Sequence, residues 1–120
     1  MIELIQGLGD GVIGARAVGK VTAEDYDSTL IPAVRTALSM HDKIRMLYLL
    51  GSEFDGYDAD AALDDTRMGM QHWSDFERIA VVTDHSVYRT AIKGFGFLMP
   101  GEVRVFAVEE LDAAKDWISG

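Results

Sequence analysis

The chain of 120 residues contains no cysteine. Disulfides, a thiolate nucleophile and a cysteine-based zinc site are therefore excluded, and a reducing, cytoplasmic setting is the one that fits. No apolar run approaches the roughly 20 residues that a membrane-spanning helix needs. Met1-Ile2-Glu3-Leu4 carries no basic n-region, so a signal peptide is not expected. The 11 lysines and arginines form no block and face 20 acids, for a net charge of -9. That field repels a phosphate backbone or an anionic bilayer, so nucleic acid and charge-driven membrane adhesion drop out as partners. Repeats, linkers and low-complexity segments are missing as well. What remains is a single expected domain over residues 1–120, long enough to bury roughly two thirds of its unfolded surface.

What the chain does have is a short, almost wholly apolar run, Ile44-Arg45-Met46-Leu47-Tyr48-Leu49-Leu50, ending at Gly51. That is the pattern of a strand covered on both faces, in the middle of a parallel sheet. Glu77 to Asp84 is a second such run, and Glu102 to Val108 alternates cleanly enough to sit at an edge. Met1 to Ile5 and the alternating Val12 to Gly19 flank a turn with three glycines in five residues (Gly7, Gly9, Gly11). A phosphate-binding loop would need a helix after those glycines; a strand follows, so a hairpin is expected.

Between the strands the period changes to that of helices. Thr22 reads as an N-cap, and Tyr26, Leu30, Val34, Ala37 and Leu38 form one apolar stripe. Pro32 lies within it and removes a hydrogen bond to Ser28, which predicts a kink. Asp58 is the expected cap of a second helix through Ala59, Ala62, Leu63, Thr66, Met70 and Trp73. Asp84 is the expected cap of a third through Val87, Tyr88, Ala91 and Ile92, and Glu109 to Ile118 closes the chain as a fourth. The order β-β-α-β-α-β-α-β-α predicts an α/β fold with a mostly parallel sheet, one antiparallel edge strand and helices packed against it.

The buried run Met46 to Leu50, the segment Trp73-Ser74-Asp75-Phe76-Glu77-Arg78-Ile79-Ala80-Val81-Val82-Thr83-Asp84, the stretch Pro100-Gly101-Glu102-Val103-Arg104-Val105-Phe106 and the closing helix Leu111 to Ile118 together resemble the STAS-like proteins. Specifically, they resemble the small standalone bacterial family called SpoIIAA-like. The likeness covers essentially the whole chain, through packing and turn motifs. The family's fold also resembles the lipid-carrying CRAL-TRIO domain. In the anti-anti-sigma branch of this fold, a serine after the central strand is phosphorylated at the start of the next helix. The resemblance makes Ser52 the nearest candidate here. It departs from the pattern, because Gly51 precedes it, the helix is expected only from Asp58, and Glu53, Asp55, Asp58 and Asp60 would repel an added dianion.

Sites at the strand ends are where ligands meet open α/β sheets, so the loop from Gly51 to Asp58 is the first place to look. The six carboxylates from Glu53 to Asp65 lack the spacing of a calcium loop and read as caps and a solvated rim. No metal or cofactor is expected. His41 and His72 fall at expected helix C-termini, whereas His85 shares the sheet rim with Ser52. A Ser52–His85–Asp arrangement can be drawn, but no nucleophile elbow accompanies it, so no catalytic residue is assigned. Phe95, Phe97, Leu98 and Met99 form an apolar cluster that reads either as core or as an exposed lip, with Phe54, Tyr57 and Trp73 available to line the same cavity. The functional expectation is a non-enzymatic binding module for a protein partner or for itself, as a homodimer. A carrier or sensor of a small apolar ligand or lipid is the alternative. A hydrolase or a Ser52 phosphoswitch ranks below both.

Overall fold

The computed structural model describes residues 1–60, 63, 67, 74–96 and 100–120, with the side chain of Phe95 excepted. Its strands are β1 (Ile2–Ile5), β2 (Val12–Ala17), β3 (Gly19–Val21), β4 (Ile44–Leu50), β5 (Phe54–Tyr57), β6 (Phe76–Thr83) and β7 (Glu102–Phe106). Five of them form a sheet in the order β1-β2-β4-β6-β7. β1 runs antiparallel to β2, and the pairs β2–β4, β4–β6 and β6–β7 are parallel. The run Ile44–Leu50 is thus the middle strand, as its pattern predicts, and the leading hairpin supplies the antiparallel edge.

Alternate residues of β4 face two separate cores. Ile44, Met46, Tyr48 and Leu50 pack with Ile13, Ala15, Tyr26, Leu30, Val34 and Val81 on one face. Leu47 and Leu49 pack with Ala80, Val82, Phe106, Ala114 and Ile118 on the other. Burial on both faces is what makes the strand apolar at both parities.

The first face is covered by a helical run that begins at Thr22. There the Thr22 hydroxyl accepts the Asp25 N–H at 3.3 Å, and the Asp25 carboxylate accepts the Thr22 N–H at 2.8 Å, a reciprocal cap. α1 (Ala23–Asp25) passes through a π-helical turn (Tyr26–Leu30) into α2 (Ile31–Met40). The expected irregularity at Pro32 takes this form: the wider turn lies just before the proline, which stands in the first turn of α2 and donates no hydrogen bond back into that turn. The stripe Tyr26, Leu30, Val34 is fully buried. α3 (Ser86–Gly96) lies on the same face, and α4 (Leu111–Ser119), preceded by a 3₁₀ turn (Val108–Glu110), covers the other.

Three details differ from expectation. The residues Phe54–Tyr57, read as loop, form β5 and pair in parallel with β3 as a separate two-stranded sheet. Gly56 has φ +105° beside a register shift there, a backbone that glycine adopts at little cost. Asp84 does not cap α3: its Oδ1 accepts the N–H of Val108 at 3.0 Å and ties the loops after β6 and β7 together. Val87 and Ala91 are exposed, so α3 meets the core through Tyr88 and Ile92 alone among its described apolar residues.

Gly101, in the segment that carries the family likeness, has a physical reason. A Cβ there would sit 2.7 Å from the Glu77 carbonyl oxygen and closer still to that of Phe76. The start of β7 approaches the start of β6 too tightly for any side chain.

Candidate functional site

The carboxyl ends of β4, β6 and β7 open onto one depression of about 540 Å³, lined by Leu50, Gly51, Ser52, Phe54, Asp84, His85, Ser86 and Val108. Three parallel strands end side by side, so their following loops converge at one rim. The loop after β4 is short because the Phe54 N–H reaches back to the Gly51 carbonyl at 3.2 Å. Its next residue is held from outside: the Glu53 carbonyl accepts the Gly19 N–H at 2.6 Å, and the Glu53 carboxylate meets Arg16 at 3.2 Å. Arg16 also pairs with Glu3. The hydrogen bond and charge of Glu3, with the charge of Glu53 behind them, raise the guanidinium pKa above its ordinary value.

The floor of the rim is aromatic. Phe54 packs edge-on against Tyr57 at 5.1 Å, Tyr88 at 5.6 Å and His85 at 6.4 Å between ring centres. His85 and Tyr88 are 5.2 Å apart, and Tyr57 extends the group to Tyr26 at 6.2 Å. Below them the hydroxyls of Tyr26 and Tyr48 share a buried hydrogen bond of 3.1 Å. Such rings give a large, rigid contact surface at small cost in rotamer freedom.

The polar groups above this floor are positioned from the backbone. Thr83, fully buried, accepts the His85 N–H on its hydroxyl at 3.1 Å, and its carbonyl accepts from Arg89 at 2.9 Å. These bonds fix the turn that presents His85 and Ser86 to solvent. Among the described residues the Ser52 and Ser86 hydroxyls have no protein partner, and no hydrogen bond joins Ser52, His85 and Asp84. The triad that can be drawn from the sequence is not formed. No group of three or more acids and histidines that could hold a metal occurs among the described residues.

Of the residues that sequence reasoning placed in a binding cavity, Phe54 is buried at 5% exposure and serves as floor, while Tyr57 is half-buried beside it. Ser52 is exposed at the lip. Trp73, Phe97, Leu98 and Met99 lie outside the described residues, as does the side chain of Phe95; His72 lies outside them too. Ser86, on the rim, and Tyr88, packed behind it against Phe54 and His85, were not singled out as site residues by sequence. The signal was there, a polar and an aromatic residue in the first turn of the helix after a buried strand, but it is shared by many helices that carry no site.

Residues 12–119 match the SpoIIAA-like family. Among solved structures, the chain is similar to an uncharacterized protein of the DUF3478 family with a SpoIIAA-like fold from Shewanella loihica PV-4. The identity is 30%, 98% of this chain and 92% of that one are covered, and the TM-score is 0.75. It also shares its fold with the anti-sigma factor antagonist SpoIIAA in its unphosphorylated form, at 11% identity and a TM-score of 0.56 over 94% of this chain and 96% of that one. Among curated proteins no match is found. With nearly its full length matched and its strand order accounted for, the chain belongs to the SpoIIAA-like family.

Proposed function

We propose that this chain is a non-enzymatic protein-binding module whose contact surface is the rim at the carboxyl ends of β4, β6 and β7. The observation that carries this reading is the construction of the depression: a rigid aromatic floor under Ser52, His85 and Ser86, whose polar groups face solvent. A floor of packed rings with a polar margin is how protein contact surfaces combine area with register. An anti-sigma factor antagonist of the same fold supports a partner of protein type. The absence of cysteine fits a cytoplasmic setting for that exchange.

The test is site-specific photo-crosslinking in cells. A photoreactive residue at position 52 or 86 should capture one and the same protein, and the outward-facing Arg35 position on α2 should not. The His85→Ala change should then weaken binding of that purified partner at least tenfold. Crosslinks of equal yield from all three positions, or none from the rim, would sink the reading.

A further inference from the structure

We propose that the outer edge of β7 joins two copies of this chain, through antiparallel pairing of β7 with its own counterpart about Val103. β7 ends the sheet and, among the described residues, has β6 as its one neighbouring strand. Its side chains divide by face. Arg104 stacks over Trp117 of α4 at 5.3 Å and over Phe106 at 5.5 Å, and Glu102 lies 3.8 Å from Arg78, so both charges stand on the α4 side. Val103 and Val105 point to the other side.

A two-fold axis through Val103 sets Glu102 directly opposite the second copy's Arg104, and Arg104 opposite the second copy's Glu102. Two ion pairs then form on one face while valine meets valine on the other. Moving the axis to Arg104 would set two guanidinium groups opposite each other, so the charges select one register. The stacking on Trp117 already limits the rotamers of Arg104, which lowers the entropy lost on pairing.

The other edge does not offer this match. An axis through Glu3 of β1 opposes two carboxylates. Charge complementarity therefore assigns the second copy to β7. Each copy carries a net charge of -9, so long-range repulsion opposes the local pairs and the association is weak and reversible. The paired strands run in opposite directions, which leaves the two rims pointing apart; the pairing stands independently of the rim's role.

Sedimentation velocity over a concentration series at physiological salt tests it. The wild-type chain should show a monomer–dimer equilibrium. Glu102→Arg and Arg104→Glu should each weaken it about tenfold or more, because like charges then face each other twice. An equimolar mixture of the two variants should recover dimers, since every charge meets its opposite across the mixed pair. Recovery on mixing is not something a misfolded variant can produce. If one variant does not fold, the doubly reversed chain, E102R with R104E, should regain the wild-type equilibrium. A wild-type chain that stays monomeric to its solubility limit overturns the proposal. So does a dimer indifferent to both reversals, or a mixture that gains nothing.

Discussion

At the amino ends of β4 and β6, Arg45 and Arg78 turn inward and donate to the last carbonyls of α4: Arg45 to Ile118 at 3.1 Å and Gly120 at 2.7 Å, Arg78 to Trp117 at 3.0 Å. At the carboxyl ends of the same strands, Ser52 and Ser86 face solvent with their donors unspent. The first arrangement supplies cations to the negative end of a helix dipole and satisfies carbonyls that the helix leaves open. Glu77 closes it by pairing with Arg45, and the Ser119 hydroxyl ties α4 to the Leu8 carbonyl at 2.7 Å. At one end of the sheet the polar groups are thus spent on one another, and at the other they are presented to solvent. The same two strands carry both, so polar residues at strand ends acquire a role only through what the topology brings opposite them.

Substitutions that separate these two ends should differ most in stability. The largest loss is expected for Gly101→Ala at the amino end, where the added carbon meets two backbone carbonyls that cannot swing away. Urea denaturation should show about 3 kcal/mol of destabilisation. Arg45→Met keeps the aliphatic stem but removes the bonds to α4, and about 2 kcal/mol should be lost in the same assay. At the open end, Ser52→Ala should change stability by less than about 0.5 kcal/mol. A loss at Ser52 equal to that at Arg45 would break the comparison.

The smallest effect belongs to Asp25, in the first turn of the helical run after β3. Burial raises its pKa, but the Thr22 N–H, the Met1 amino group and the Thr22 hydroxyl outweigh this and leave it lowered. A carboxylate with a depressed folded pKa contributes stability above its unfolded pKa, and loses it as pH falls through the folded value. The melting-temperature gap between wild type and Asp25→Asn should be full above about pH 5 and shrink as pH falls through and below the usual carboxylate pKa of about 3.9.

Much of the fold was legible because burial on both faces leaves a mark that does not depend on partners. Ile44–Leu50 and the core of β6 had to be apolar at both parities wherever they stood in the sheet. Arg45 shows the limit of that reasoning. Within an apolar run it reads as an interruption, and the carbonyls that employ it lie at the far end of the sequence. Asp84 reads as a helix cap, yet α3 starts two residues later and the amide it binds is that of Val108, on another loop. Phe54–Tyr57 contains Asp55 and Gly56 and has the composition of a loop. It becomes a strand because Gly19–Val21 offers an edge to pair with. The candidate site was legible as a place, the end of the central strand, where Phe54 lines the depression and Tyr57 packs against Phe54. His85 was placed on the same rim as Ser52, but Tyr88 was not: it joins Phe54 and Tyr57 through a contact between two crossovers, which no local pattern encodes.

The sheet order also sets how the chain assembles in time. Only the β1–β2 hairpin pairs strands that are near in sequence. Every parallel pairing, β2 with β4, β3 with β5, β4 with β6 and β6 with β7, closes across a stretch of about 25 to 35 residues, and loop closure must precede any reward from those contacts. Refolding is therefore expected on the scale of milliseconds to seconds. The last strand's seat depends on the register of β6, so stopped-flow measurements should find Gly101→Ala mainly accelerating unfolding and leaving the folding rate nearly unchanged.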